Sequence, residues 1–163
     1  MSSPDRTNSQ DAVFREASDV DLPAILALLG DDPLGKHREL ALPERAEIPA
    51  AYKAAFEAIA ADPRNQLYVA DVGGDVVGCF QLTFVPGLTY QGGERATIEG
   101  VRVSQGMRGR GIGKAMMQYA IALATERPCV LVQLTTDKRR AEAHEFYRAL
   151  GFVASHEGMK LRL

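Results

Sequence analysis

Val101-Arg102-Val103-Ser104-Gln105-Gly106-Met107-Arg108-Gly109-Arg110-Gly111-Ile112-Gly113-Lys114 is the stretch that decides how this chain folds. Its first residues end a strand-like run from Arg95 to Val103. From Gly109 to Glu126 the period changes: Ile112, Ala115, Met116, Tyr119, Ala120 and Leu123 recur at three and four, which predicts an amphipathic helix. A strand therefore enters a glycine-rich turn that opens directly onto a helix N-terminus. The first N–H groups of such a helix have no intrahelical acceptor, and the aligned peptide dipoles place about half a positive charge there. Gly109, Gly111 and Gly113 carry no Cβ, so the main chain can close on an oxygen-rich ligand. Arg108, Arg110 and Lys114 add positive charge around the turn. These features make a pyrophosphate site.

Two other phosphate loops do not fit. A Walker A loop would need glycine where Arg108 stands and a hydroxyl where Ala115 stands. The dinucleotide fingerprint would need a third glycine where Lys114 stands.

Working outward, Val13 to Ala17 predicts a first strand, and Ser18 a helix cap with Asp19, Asp21 and Pro23 in the first turn. Leu22, Ile25, Leu26 and Leu29 form that helix's apolar stripe, which the run Gly30 to Gly35 breaks. A second helix is expected from near Pro43 to about Ala61. Leu67 to Val72 and Val76 to Val85 read as strands joined by Gly73-Gly74-Asp75. Cys129 to Leu134 is a continuous apolar run that suits a buried strand. Arg139 to Leu150 reads as a helix stopped by Gly151, with closing strands expected at Phe152-Val153 and Met159 to Leu163. The order β-α-α-β-β-β-α-β-α-β-β implies an α/β layer with a mixed sheet.

Composition sets the outer limits. With 163 residues, 46% of them hydrophobic and 25% charged, the chain suits one domain of ordinary size. A polar tail over residues 1–10, without the apolar stretch of a signal peptide, followed by a single domain over 11–163, is the expected organisation. A net charge of −2 gives no polycation character, so no nucleic-acid partner is expected. No apolar run approaches the length of a membrane span. Cys79 and Cys129 lie in apolar runs, which suits buried thiols in a cytoplasmic protein. His37, His144 and His156 show no metal-ligand spacing, and no metal is expected.

The pattern [Q/R]-x-x-G-x-[G/A] is matched by Arg108, Gly111 and Gly113, and Phe146-Tyr147-Arg148-Ala149-Leu150-Gly151-Phe152 matches F-Y-x-x-x-G-F. With these two segments in order and a strand between them, the chain resembles the GNAT (GCN5-related N-acetyltransferase) family. The resemblance is most specific from Ala96 to Phe152. It implies a mixed, mostly antiparallel central sheet of about six to seven strands flanked by about four helices. It also implies acetyl-CoA as co-substrate, with Arg108, Gly109, Arg110, Gly111, Ile112, Gly113 and Lys114 on its pyrophosphate. The strand Val101-Arg102-Val103 would pair with the pantetheine arm as an added strand does, and one of its N–H groups would polarise the thioester carbonyl.

By the same resemblance, Tyr147 is the general acid that protonates the departing thiolate; otherwise it is only a core aromatic. Glu99, nine residues before Arg108, is the candidate general base, the other reading being a solvated strand acid. It shares a strand face with Val101 and Val103 if no bulge intervenes. Many family members carry Asn seven residues before the tyrosine, where it contacts the cofactor; this chain has Arg140. The run Asp137 to Arg140 could reach CoA phosphates or be a solvated helix start.

The acceptor side is less legible. Asp32 and Glu39 could attract an ammonium and Arg38 an acidic group, or all three could be surface charges. The segment from Gln133 to Lys160 looks similar to aminoalkylphosphonate N-acetyltransferases, which favours a small-molecule amine. A protein Lys or N-terminal acetyltransferase and a non-catalytic CoA-binding sensor are the alternatives. A homodimer is expected only by analogy with the family.

Overall fold

The computed structural model describes residues 11–32 and 47–163. The tail over 1–10, the helix start at Pro43, and Arg38 and Glu39 lie outside the described residues.

Strand β1 (Val13–Glu16) leads through a 3₁₀ turn (Asp19–Asp21) into α1 (Leu22–Gly30). Helix α2 (Ala50–Ala61), β2 (Asn65–Val72), β3 (Asp75–Val85), the single turn α3 (Thr89–Gly92) and β4 (Arg95–Val103) follow. Another 3₁₀ turn (Gln105–Met107), α4 (Ile112–Glu126), β5 (Leu131–Leu134) and α5 (Ala141–Ala149) complete the order. The sheet runs β1-β2-β3-β4-β5, antiparallel up to β4, with β5 parallel to β4.

The entry to α1 rests on Asp21. Its Oδ2 accepts from the Ser18 N–H and hydroxyl at 2.8 and 2.9 Å, and its two oxygens accept from the Arg15 guanidinium at 2.7 and 2.9 Å. Hydrogen bonds from Arg15 hold the Asp21 carboxyl well below the usual carboxylate range, against the opposing effect of burial.

Two cores flank the sheet. On one face Tyr68, Phe80, Leu82, Ala96 and Ile98 pack with Ile112, Met116, Met117 and Ala120 of α4. On the other, Val69 and Cys79 pack with Ile25 and Leu28 of α1. Each such fully buried aliphatic or aromatic side chain contributes roughly 1.5–3 kcal/mol relative to exposure. Gly78 permits the close approach of α4: a Cβ there would lie 2.8 Å from Met116 Sδ and 3.0 Å from the Arg102 carbonyl oxygen.

Several expected boundaries shift. Among the described residues the sheet has five strands, not six or seven, and there are five helices, not four. Phe152-Val153 and Met159 to Leu163 are not strands: no ladder partner stands beside them, and Val153, Met159, Leu161 and Leu163 stay exposed. Residues 47–49 are not helical, and α2 begins after Pro49. Helix α4 starts at Ile112 and not Gly109, because Gly109 and Gly111 take positive φ values of 74° and 81°. Strand β5 starts at Leu131 because the Cys129 N–H still closes α4 onto the Ala124 carbonyl. Leu28, absent from the expected stripe of α1, is buried with it.

Candidate active site

The strand β4 is straight only as far as Glu99. Gln81 of β3 faces Glu99, yet Cys79, two residues along β3, faces Arg102, three residues along β4. The extra residue is a β-bulge, and Gly100 takes φ +60° within it. The bulge overturns the expected face of Glu99. Ile98, Val101 and Val103 join the α4 core, while the exposed Glu99 shares the α1 face with Arg102. A lone glycine inside a strand pattern is the sequence signal for such a bulge.

The same stretch of β4 is an edge, because β5 ends at Leu134. β5 pairs with β4 only from Arg95–Leu131 to Ile98–Leu134, so Glu99 to Val103 run on without it. Ser104 donates its N–H to the Val77 carbonyl across β3. By strand alternation Arg102 also turns its main-chain groups to β3, and Val101 and Val103 turn theirs into the gap left by β5. Two arginines already donate into that gap: Arg102 Nη1 to the Val101 carbonyl at 2.8 Å, and Arg108 Nε to the Val103 carbonyl at 3.1 Å.

At the end of this edge lies the glycine turn. Gly111, left-handed, is the residue before α4, and the Ala115 N–H returns to its carbonyl at 3.0 Å. The N–H groups of Ile112, Gly113 and Lys114 precede any possible intrahelical acceptor. Arg108, Arg110 and Lys114 are exposed around them. Ile112 is the exception, buried in the α4 core with only its main chain in the turn.

Helix α5 brings the second motif to the first. The Phe146 ring lies 3.7 Å from where a Gly113 Cβ would stand, in van der Waals reach, so α5 seats against the start of α4. The Tyr147 ring contacts Phe146 and Phe152 edge-on, with centroids 5.2 and 5.9 Å apart. The Phe152 N–H donates to the Tyr147 carbonyl at 3.0 Å, and Gly151 ends the helix with φ +92°. Burial pushes the Tyr147 phenol above its ordinary pKa, while Arg102 and Arg140 pull the other way.

Those two arginines meet on Asp32, at the end of α1. Arg102 Nη2 donates to Asp32 Oδ2 at 2.9 Å, and Arg140 Nη2 donates to the same oxygen. The Asp32 side chain is 1% exposed. The rest of the basic run points elsewhere: Arg139 pairs with Asp137 at 2.8 Å, and Lys138 with Glu157 at 2.8 Å. Separations of 70 and 108 residues left the Asp32 pairings without a sequence signal.

Cys79 lies under the bulge, its thiol 3.7 Å from the Gly100 carbonyl, and burial pushes its pKa up to about 12. Such a thiol is a poor nucleophile. No group of three potential metal ligands occurs among the described residues. No helix among them is long and apolar enough to cross a membrane.

The sequence profile of the Acetyltransferase (GNAT) family matches residues 25–152, which include the bulged strand, the glycine turn and α5. This chain belongs to the GNAT acetyltransferase family. A transcriptional regulator from Bacillus halodurans C-125 is similar in structure, with a TM-score of 0.89 and 48% identity over 93% of this chain and 99% of that one. A putative acetyltransferase from Agrobacterium tumefaciens str. C58 superposes with a TM-score of 0.79 and 31% identity, covering 93% and 99% of the two chains. In sequence, an aminoalkylphosphonate N-acetyltransferase of Salmonella typhimurium is 32% identical over 108 residues, 65% of this chain and 68% of that one. Against three other curated acetyltransferase relatives the chain spans only 25 to 32% of their length.

Proposed function

We propose that this chain is an N-acetyltransferase, a single domain over 11–163, that moves an acetyl group from acetyl-CoA to the primary amine of a small molecule in a ternary complex. The observation that supports the reading is the seating of Phe146, the residue before Tyr147, on Gly113 of the glycine turn beside Val103 of β4. The co-substrate's diphosphate would take the N–H groups of the turn with Arg108, Arg110 and Lys114, and its pantetheine arm would lie along Val101 and Val103.

The amine nitrogen attacks the thioester carbonyl carbon, and an N–H of the β4 edge stabilises the oxyanion. As the tetrahedral intermediate collapses, the C–S bond breaks and the thiolate takes a proton from the Tyr147 hydroxyl. The proton shed by the amine passes to Glu99, directly or through water. A buried phenol with a raised pKa stays protonated at neutral pH, as an acid must. The inert Cys79 supports direct transfer over an acyl-enzyme.

The exposed alternation Met159-Lys160-Leu161-Arg162-Leu163 supports a homodimer in which these residues pair with a second copy. A cytoplasmic setting suits the reduced thiols. The neighbour described as a transcriptional regulator favours a second reading, a CoA-binding sensor without turnover.

Thiol release from acetyl-CoA, followed with a panel of amines, separates the two. Amine-dependent release that falls by about 10- to 100-fold in Glu99→Gln supports transfer with base assistance. CoA binding with no release on any amine supports the sensor.

A further inference from the structure

The cluster of Asp32, Arg102 and Arg140 does more than bridge elements. Two guanidiniums share one carboxylate oxygen, so the trio holds one positive charge more than negative. The arginine side chains are only 21% and 30% exposed, so water screens this charge poorly. Arg102 Nε is buried and has no hydrogen-bond partner among the described residues. That nitrogen is sealed from ligands, so an anion drawn by the excess charge would meet the terminal N–H groups that the Val101 carbonyl and Asp32 leave over.

The position tells which anion. The glycine turn that would take the CoA diphosphate begins α4, on one face of the sheet, whereas Arg102 projects from the α1 face, opposite Cys79. Glu99 lies on that same face, opposite Gln81. Cys79 and Gln81 are two residues apart on β3, so the Cα atoms of Arg102 and Glu99 stand on the order of 7 Å apart along the strand direction. Arg140 reaches the cluster from the start of α5, the helix that carries Tyr147. An anion held here would lie on the face of the strand that also carries Glu99.

We propose that Arg102 and Arg140, oriented by Asp32, bind an anionic group of the acceptor, so that the substrate is a short primary amine that also carries a carboxylate, phosphonate or phosphate. Asp32 is then a positioning residue: it aims two forks at the anion and does not touch the amine. This inference rests on the acetyl-transfer reading for its geometry and deepens it by naming the substrate class.

The test compares β-alanine, 2-aminoethylphosphonate and O-phosphoethanolamine with ethanolamine and n-propylamine, in thiol-release assays of the full chain. Anionic amines are expected to give kcat/KM at least about tenfold higher, carried mostly by KM. Methylphosphonate should raise the KM of the amine without raising that of acetyl-CoA, an arm that needs no variant. Arg102→Gln should remove most of the preference while coenzyme A still binds by calorimetry. Equal turnover of charged and neutral amines, or methylphosphonate competing only with acetyl-CoA, would overturn the anion site and leave acetyl transfer standing. If no amine turns over, 2-aminoethylphosphonate and ethanolamine are titrated into the CoA-saturated protein. Preference for the phosphonate there sustains the anion site and removes the transfer reading; no preference overturns the anion site.

Discussion

The two sides of the site are built in opposite ways. The proposed cofactor side is a contiguous run, Val101 to Lys114, in which strand, turn and helix N-terminus follow within fourteen residues. The proposed acceptor side is assembled at long range: Asp32 after α1 and Arg140 before α5 meet Arg102 on β4, the strand that also carries Glu99. Phosphate capture by main-chain amides needs only local backbone geometry, so a short motif can encode it. Selection of a particular amine needs charges placed by tertiary structure. The first can stay constant while the second changes.

Breaking the chemistry should have the largest effect. Tyr147→Phe removes the proposed proton donor and should lower kcat by about 100-fold or more, with CoA affinity by calorimetry unchanged. The pH profile sharpens the point. With the phenol raised by burial, the alkaline fall in kcat belongs above the ordinary tyrosine value of ~10, and the Phe variant should lack it. Full turnover in the variant would leave Tyr147 as a core aromatic.

The cofactor side alone is broken by Gly111→Val. A branched side chain at φ +81° costs roughly 1–2 kcal/mol, and misplacing the first amides of α4 should weaken CoA binding about tenfold. The relative rates among amines should not change. If they do, the two sides are not separable.

A smaller effect comes from a carboxylate–arginine contact outside the site. Asp21→Asn loses charged hydrogen bonds to Arg15, whose side chain is 37% exposed, so the cost after solvent screening is about 1–2 kcal/mol. Thermal unfolding should show a drop of several degrees with kcat/KM unaltered. Because the folded state depresses the Asp21 pKa, its stabilisation is present above the unfolded value of ~3.9 and is lost as pH falls below it. The variant should therefore lose less stability than the wild type on acidification.

The same division governs what the sequence disclosed. Strand β4 was legible to the residue because its apolar alternation and the turn after it are local signals. Helix α5 and its stop at Gly151 were legible because helical periodicity and a terminal glycine are local signals too. Gly100 carried the bulge in plain sight, yet the face of Glu99 depends on a register set by β3, which local pattern does not fix. The sharing of Asp32 by two arginines was not legible, since nothing near Asp32 in the chain points to residues 70 and 108 positions away. Met159 to Leu163 has strand periodicity, but a strand also requires a partner, which periodicity cannot supply.

The central claim is that main-chain amides at the start of α4 hold a diphosphate. The most direct measurement follows backbone amide resonances in ¹⁵N-labelled protein during titration with coenzyme A. Large shifts confined to Arg108–Lys114 and to Val101–Val103 are the predicted result. Saturable binding that leaves the amides of Arg108 to Lys114 unmoved would contradict it.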